Sequence, residues 1–195
     1  MEELEPIAYA FGRAAERAIS AGFDGVEVHG AHGFLLNQFY SPLTNHRADA
    51  YGGSLENRMR FPLEVVREVR KRIGTNMLLY RLGSVDLEMM GSQIEDSQQF
   101  AKRLSQEGVN ILDVSGGMCG SAPKSLIRQE GYFVPQAEAI KQSVDKPVIG
   151  VGGVKTPQFA DHVIRERKVD FIAVGRALKK DPLWAVKAVK FLKNQ

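Results

Sequence analysis

Cysteine is almost absent from this sequence, which has one, Cys119, among its 195 residues. A single cysteine excludes an internal disulfide bond, and it excludes a zinc or iron–sulfur site built only from cysteines of this chain. We interpret Cys119 as a small loop residue, with a reactive thiol as the alternative. Sparse cysteine is ordinary for proteins of a reducing compartment, so we expect a cytoplasmic location.

The sequence also lacks long apolar runs and blocks of one charge. No stretch approaches the roughly 18 consecutive apolar residues that indicate a membrane helix. The formal net charge is +3, but acidic and basic residues are interspersed, without a basic block interleaved with aromatic residues. We therefore expect neither a membrane nor a nucleic acid as partner. The composition, 44% hydrophobic, is typical of a globular protein, and we predict a single domain over residues 1–195.

Short β-branched runs alternate with stretches of helical periodicity along the chain. The predicted strands are residues 24–29, 76–82, 109–115, 147–151 and 170–175. The predicted helices are residues 6–21, 56–73, 92–107, 134–144, 156–167 and 181–192. This alternation indicates a parallel sheet with helical crossovers.

Several helix boundaries carry their own local signals. Ser92 with Glu95 has the spacing of a capping box, which predicts a helix start. Thr156 before Pro157 places a capping side chain ahead of a proline at the first helical position. Gly74 stands where a helix should stop, just before a strand.

Two parallel architectures compete. A doubly wound sheet normally shows a glycine-rich turn after its first strand, but residues 30–33 (GAHG) do not match that fingerprint. A (β/α) barrel places functional residues at the C-terminal ends of several strands and holds phosphate after the last two. The sequence favours the barrel, although a complete barrel needs eight strands. We therefore predict an α/β fold that is a partial TIM (β/α) barrel, with five parallel strands and six helices.

The last two predicted strands each run into glycine. One is followed by Gly152 and Gly153, and the other by Gly175 and Arg176. Glycine lets backbone N–H groups approach an anion, and arginine presents a planar fork to phosphate oxygens. We predict a phosphate cradle here, the alternative being two tight turns with a surface arginine.

Two histidines follow one another at the end of the first strand. Strand side chains alternate, so Glu27 and His29 should share one face, and His32 comes just after. Two neutral imidazoles in this position can donate hydrogen bonds to one carbonyl or nitro oxygen of a substrate. A purely structural role is the alternative, and for a metal site no third ligand has suitable spacing.

Arg81 lies inside an apolar strand, where a buried cation requires a partner. The candidate partners are Glu27 across the interior and an anionic part of a ligand at the rim.

Three stretches of the chain resemble one known family. They are residues 29–39 (HGAHGFLLNQF), 41–47 (SPLTNHR) and 51–58 (YGGSLENR). They are similar to the fourth-strand segment of the Old Yellow Enzyme, or NADH:flavin oxidoreductase, family. Shorter motifs follow in the family's order at Arg81 and at residues 113–117, 150–153 and 174–176. The resemblance therefore covers essentially the whole chain.

The resemblance implies a barrel that holds FMN noncovalently, to which this chain contributes strands four to eight. In that family NAD(P)H reduces the flavin, which passes hydride to an activated alkene or another acceptor. His29 and His32 resemble the pair that binds the oxygen of a small-molecule substrate, and Arg81 resembles the arginine beside the flavin. The residues that resemble the family's phosphate site are Gly152, Gly153, Gly175 and Arg176.

Two features depart from the family pattern. Many members have a tyrosine, the usual proton donor, where this chain has Phe34. The family's strands one to three have no counterpart here, and an open five-stranded sheet exposes edges and an apolar inner face. We therefore expect a homo-oligomer that associates through the open barrel face. The alternative to an oxidoreductase is a non-catalytic assembly module that folds by this self-association.

Overall fold

The structure is a computed structural model that describes residues 4–193. Its strands are β1 (Gly25–Gly30), β2 (Met77–Gly83), β3 (Ile111–Ser115), β4 (Val148–Gly150) and β5 (Phe171–Ile172). Its helices are α1 (Leu4–Ser20), α2 (Leu35–Tyr40), α3 (Leu55–Ile73), α4 (Ile94–Gln106), α5 (Val134–Lys141), α6 (Pro157–Arg165), α7 (Arg176–Lys180) and α8 (Trp184–Lys193).

The five strands form one parallel sheet in the order β1-β2-β3-β4-β5. Each strand pairs with the strands before and after it in the chain, whereas a doubly wound sheet reverses its strand order at a switch point. The doubly wound alternative is thereby excluded. The fold is a partial (β/α) barrel of five parallel strands, as the sequence predicts.

The hydrophobic core lies between the sheet and its helices. On β2, Leu78, Tyr80 and Leu82 are fully buried, as are Leu112 and Val114 on β3. Strand residues alternate between faces, so the residues between these core positions lie on the opposite, inner face of the sheet. The core therefore uses every second strand residue and leaves the others for the inner face.

The predicted number of helices, six, was wrong. Residues 4–193 contain eight helices, and the two extra ones are α2 and α7. They have six and five residues, which is fewer than two turns, so neither produces a recognisable apolar repeat. Both lie in the segments that follow a strand, where the barrel architecture places functional residues.

Two helix-boundary predictions are confirmed. The side chain of Thr156 accepts a hydrogen bond from the backbone amide of Phe159, which caps α6. Helix α3 ends at Gly74, whose φ of 62° is favourable for glycine and whose amide donates to the carbonyl of Arg70.

The predicted capping box at Ser92 and Glu95 was wrong. Helix α4 begins at Ile94, after Gln93, and has no side-chain cap. The backbone amide of Ser92 instead donates to the carboxylate of Asp86 at 2.8 Å. A buried tertiary partner has replaced the local one that the spacing suggested.

Candidate functional site

Three polar side chains lie side by side on the inner face of the sheet. His29 on β1 is in register with Arg81 on β2, and Arg81 is in register with Asp113 on β3. The strands are parallel and alternate in the same phase, so the three side chains form one row across the face. The row lies near the C-terminal ends of the strands, where barrel enzymes carry their chemistry.

Arg81 pairs with Asp113, which was not among its predicted partners. Its guanidinium Nη1 lies 3.6 Å from the Oδ2 atom of Asp113, which is 4% exposed. Burial raises the pKa of Asp113, and the cation of Arg81 opposes that rise. Glu27, one of the two predicted partners, lies within electrostatic range but forms no ion pair with Arg81 among residues 4–193.

The row contains buried polar atoms without a protein partner. Within the part of the chain that the structure describes, these atoms are Nε of Arg81, Oδ1 of Asp113 and Nδ1 of His29. Buried polar groups are normally satisfied, and unsatisfied groups on neighbouring strands require an explanation. A polar ligand on the inner face would supply the missing partners.

The two histidines converge, with ring centroids 5.1 Å apart in an edge-on arrangement. His32 has a φ of 57°, and its backbone amide donates to the carbonyl of Gly116. Its Nε2 atom lies 2.7 Å from the hydroxyl oxygen of Ser115. The end of β3 therefore holds His32 through both its backbone and its ring.

Both imidazoles are neutral at physiological pH. Burial, followed by the charge of Arg81, lowers the pKa of His29. The same two causes, with His29 adding a third, lower the pKa of His32 to about 4. A neutral pair beside a permanent cation is suited to hydrogen bonding with an acceptor oxygen, and it does not add a second charge to the row.

Glu27 titrates unusually high for a carboxyl group. Loss of hydration, with a contribution from Asp113 and against the opposing effect of Arg81, raises the pKa of Glu27 to about 7. The residue remains exposed along the open inner face, so solvent screens the consequence for stability.

Because of this shift, we expect the stability of Glu27→Gln, compared with that of the wild type, to be higher at high pH than at low pH. In the unfolded chain Glu27 releases its proton near pH 4.5, whereas the folded chain holds it up to about pH 7. The wild-type carboxyl therefore favours folding below the unfolded pKa and loses that contribution as pH rises through the folded pKa. Urea unfolding of both proteins at about pH 5 and about pH 8 measures the effect. A stability difference that is the same at both values would contradict it.

A buried carboxylate joins the segments that follow the first three strands. Asp86, just after β2, accepts hydrogen bonds from the hydroxyl of Ser41 at 2.6 Å and from the backbone amide of Met118 at 2.7 Å. It also accepts the bond from Ser92 described above. The segments after β1 and β3, which position His32 and Ser115, are thereby held to the end of β2.

The ends of β4 and β5 meet at one tyrosine. Gly152 and Gly153 have φ values of 117° and 66°, and a Cβ on either would lie 2.8 or 2.9 Å from ring atoms of Tyr132. The guanidinium of Arg176 donates to the hydroxyl of the same tyrosine. Tyr132 therefore brings together the glycine turn after β4 and the arginine after β5.

This corner has the chemistry of an anion site. Within residues 4–193, the amides of Gly152, Gly153 and Gly175 make no hydrogen bond to another backbone group. A Cβ at Gly175 would meet open space, and both Gly175 and Arg176 are exposed. Free amides beside a guanidinium fit the phosphate of FMN, just as the unpartnered atoms of the inner-face row fit a polar flavin ring.

The environment of Cys119 shows whether its thiol is reactive. The thiol of Cys119 donates to the carbonyl of Val85, and burial, followed by the charge of Asp86, raises its pKa to about 11. It is therefore a protonated loop residue, which argues against a reactive thiol.

Phe34 is 59% exposed, and its ring centroid lies 4.8 Å from that of His29.

Sequence reasoning missed the roles of Asp113, Ser115, Asp86 and Tyr132. For Asp113 a signal existed. It lies between the apolar positions of β3, just as Arg81 lies between those of β2, so both side chains are expected on the face opposite the core. The other three gave no signal, because their partners are distant in sequence.

Functional groups at the C-terminal ends of parallel strands are typical of the (β/α)-barrel class of proteins. Within that class, the chain belongs to the NADH:flavin oxidoreductase / NADH oxidase family, which it matches over residues 1–195. The resemblance identified from the motifs is thus confirmed.

Curated relatives agree with this assignment. An NADH oxidase of Thermoanaerobacter brockii is 44% identical over the whole of this chain and 31% of its own length. An NADPH dehydrogenase of Bacillus subtilis (strain 168) is 38% identical over the whole of this chain and 56% of its own length. The chain therefore spans about a third to a half of the length of these relatives.

Solved structures show the same fold. A 2-naphthoyl-CoA reductase in complex with 2-naphthoyl-CoA superposes with a TM-score of 0.89 at 29% identity, over 97% of this chain and 29% of that one. Histamine dehydrogenase from Rhizobium sp. 4-9 superposes with a TM-score of 0.85 at 30% identity, over 97% of this chain and 28% of that one. No helix within residues 4–193 is both long enough and apolar enough to cross a membrane.

Proposed function

We propose that this chain provides the FMN- and acceptor-binding half of a cytoplasmic oxidoreductase that moves hydride from NAD(P)H, through FMN, to an activated alkene or another acceptor. The observation that supports this most directly is the inner-face row. It combines a neutral histidine, an arginine and an aspartate, each of which has one buried polar atom without a protein partner. Family membership supports the same chemistry.

Each residue has a distinct task in this proposal. FMN, when bound, supplies the hydride chemistry. Arg81 provides a fixed positive charge to the polar edge of the flavin ring. The phosphate is held by the free amides of Gly152, Gly153 and Gly175 and by the guanidinium of Arg176.

His29 and His32 bind the substrate. Their neutral rings donate hydrogen bonds to a carbonyl or nitro oxygen, which polarises the substrate and positions its acceptor carbon. Burial and the charge of Arg81 lower both pKa values from the usual histidine value, which keeps this arrangement unchanged through the neutral pH range.

FMN titration tests the proposal. Purified protein should quench and shift flavin fluorescence, and NADPH oxidation should exceed the background given by free FMN. No change in flavin fluorescence at high protein concentration would contradict FMN binding by this chain.

Arg176→Ala should weaken FMN binding roughly tenfold, which is about 1.5 kcal/mol, the lower end for a hydrogen bond to a charged group. The lower end applies because Arg176 is exposed and partly screened. Arg165→Ala, which removes an exposed arginine from the ion pair of α6 with Asp161, is the matched control. Fluorescence titration gives the dissociation constants, and equal values for both variants would remove Arg176 from the phosphate site.

Phe34→Tyr should accelerate the reduction of an activated alkene about 100-fold, the low end of what a positioned general acid contributes. Phe34 stands where many family members carry the tyrosine proton donor, and its ring already packs on His29. The rate at which pre-reduced enzyme is reoxidised by cyclohex-2-enone measures the effect. Reoxidation by a quinone serves as the control, because it requires no proton on carbon, and an equal gain with both acceptors would contradict the assignment.

A second candidate is a module that folds by self-association. It is favoured by apolar side chains on the open inner face, where Met77 is 42% exposed and Phe171 is 51% exposed. Exposed apolar patches of this kind mark interaction surfaces. Two copies packed through this face would form a homo-oligomer, and the face would then be closed to flavin. Size-exclusion chromatography with light scattering tests this, and a stable monomer at micromolar concentration would contradict it.

A further inference from the structure

One ring nitrogen of His32 is occupied by a hydrogen bond within the protein. Its Nε2 atom lies 2.7 Å from the hydroxyl oxygen of Ser115, at the end of β3. Ser115 is 1% exposed, and its hydroxyl has no other hydrogen-bond partner within residues 4–193. The Nδ1 atom is therefore the nitrogen that His32 can offer to a ligand.

The burial of Ser115 determines which atom donates. A neutral imidazole has one N–H, so Nε2 is either donor or acceptor. If Nε2 donated to Ser115, the serine hydrogen would be buried without an acceptor, which is an unfavourable state. If Ser115 donates to Nε2, every group in the contact is satisfied, and the single proton of the ring resides on Nδ1.

The backbone holds the ring in the same orientation. The amide of His32 donates to the carbonyl of Gly116, next to Ser115, and the residue adopts a positive φ of 57°. Ring and main chain are thus fixed by consecutive residues of one strand end. A ring held in this way cannot turn over to present Nε2 to a ligand without breaking the contact with Ser115.

We propose that Ser115 is a positioning residue that fixes the tautomer of His32, so that His32 presents an N–H at Nδ1 to the acceptor oxygen of a ligand. The identity of that ligand rests on the proposed function, but the tautomer does not. The consequence is specificity: His32 donates to a ligand oxygen such as that of a carbonyl or nitro group, and it discriminates against a ligand that presents an N–H or O–H donor at the same point.

Nitrogen NMR of the protein without added flavin tests the tautomer. The chain has four histidines, so selective ¹⁵N-histidine labelling gives a simple spectrum, and His32→Gln identifies the signals of His32. At neutral pH we expect a protonated, pyrrole-type Nδ1 and an unprotonated, pyridine-type Nε2. The reverse pattern in the wild-type protein would overturn the proposal, whatever the variants show.

Three variants separate positioning from general stability. Ser115→Ala should shift His32 toward the Nε2–H tautomer, and Ser115→Thr, which retains a hydroxyl, should keep the wild-type pattern. Ser84→Ala is the matched control, because it removes a buried hydroxyl that bonds only to the backbone carbonyl of Ser115. A folded Ser115→Ala protein that keeps the wild-type tautomer would overturn the proposal.

The binding of a ligand to the site provides a second test. Binding of cyclohex-2-enone to FMN-loaded protein should weaken roughly 2- to 10-fold in Ser115→Ala, as expected for one neutral hydrogen bond, and should be restored in Ser115→Thr. Enone binding that is unchanged in Ser115→Ala would contradict the role of the Nδ1–H group. If the protein does not bind FMN, the proposed function fails while the NMR result still decides the tautomer.

Discussion

Arg81→Met is expected to weaken FMN binding roughly 100-fold or to abolish it. A hydrogen bond to a charged group contributes about 1.5–3 kcal/mol, and every 1.4 kcal/mol corresponds to about a tenfold change in affinity. The substitution also removes the cation that opposes the raised pKa of the buried Asp113 carboxyl. The pKa of Asp113 then rises further, and the inner-face row loses the fixed charge of Arg81. Flavin fluorescence titration measures the result.

Two further variants distinguish binding from folding. Arg81→Lys retains the charge but not the planar fork, so we expect an intermediate loss of affinity. The double variant Arg81→Met with Asp113→Asn removes the unpaired carboxyl, so it should unfold in urea at a higher concentration than Arg81→Met alone and still fail to bind FMN. Wild-type affinity in Arg81→Met would show that the arginine does not contact the flavin.

Asp86→Ala is expected to cause the largest loss of stability, about 3 kcal/mol or more. The substitution removes a buried carboxylate that accepts three hydrogen bonds, from Ser41, Ser92 and Met118. Two of the donors are backbone amides that cannot rotate to find water, and each unsatisfied buried donor costs about 1–3 kcal/mol. For a chain of this size, 3 kcal/mol lowers Tm by roughly 6–12 °C.

Thermal unfolding followed by circular dichroism measures this loss. The matched control is Asp161→Ala, which removes an acidic residue from an ion pair on α6 whose arginine is largely exposed and should change stability by less than about 1 kcal/mol. Because Asp86 joins the segments that position His32 and Ser115, the variant should also lose FMN and acceptor binding together. A Tm equal to that of the control variant would show that Asp86 does not hold these segments.

Much of the fold was predictable because its signals are local. The alternation of strands and helices follows from the periodicity of apolar residues, and a helix stop such as Gly74 follows from conformational preference. The two short helices α2 and α7 were missed because fewer than two turns produce no repeat. The capping box at Ser92 failed because a buried carboxylate offered a better partner than the local side chain.

The same distinction between local signals and distant partners applies to the candidate site. His29 was identifiable from strand alternation, and Arg81 was identifiable because a cation inside an apolar strand requires a partner. The glycine turns were identifiable because backbone amides at glycine can approach an anion and arginine can bind it. The bridging role of Tyr132 was not, because it depends on the approach of two separate strand ends to one ring.

The sequence by itself thus determined the family, the parallel order of β/α units and the candidate site residues, because those follow from local pattern and side-chain type. Only the tertiary structure decided how these residues are held. Ser115 lies 83 residues from His32, and Met118 lies 32 residues from Asp86. Contacts at such separations depend on strand register, and the free energy of burying a polar group selects the partner that satisfies it. That selection is made in the folded sheet, and no local pattern encodes it.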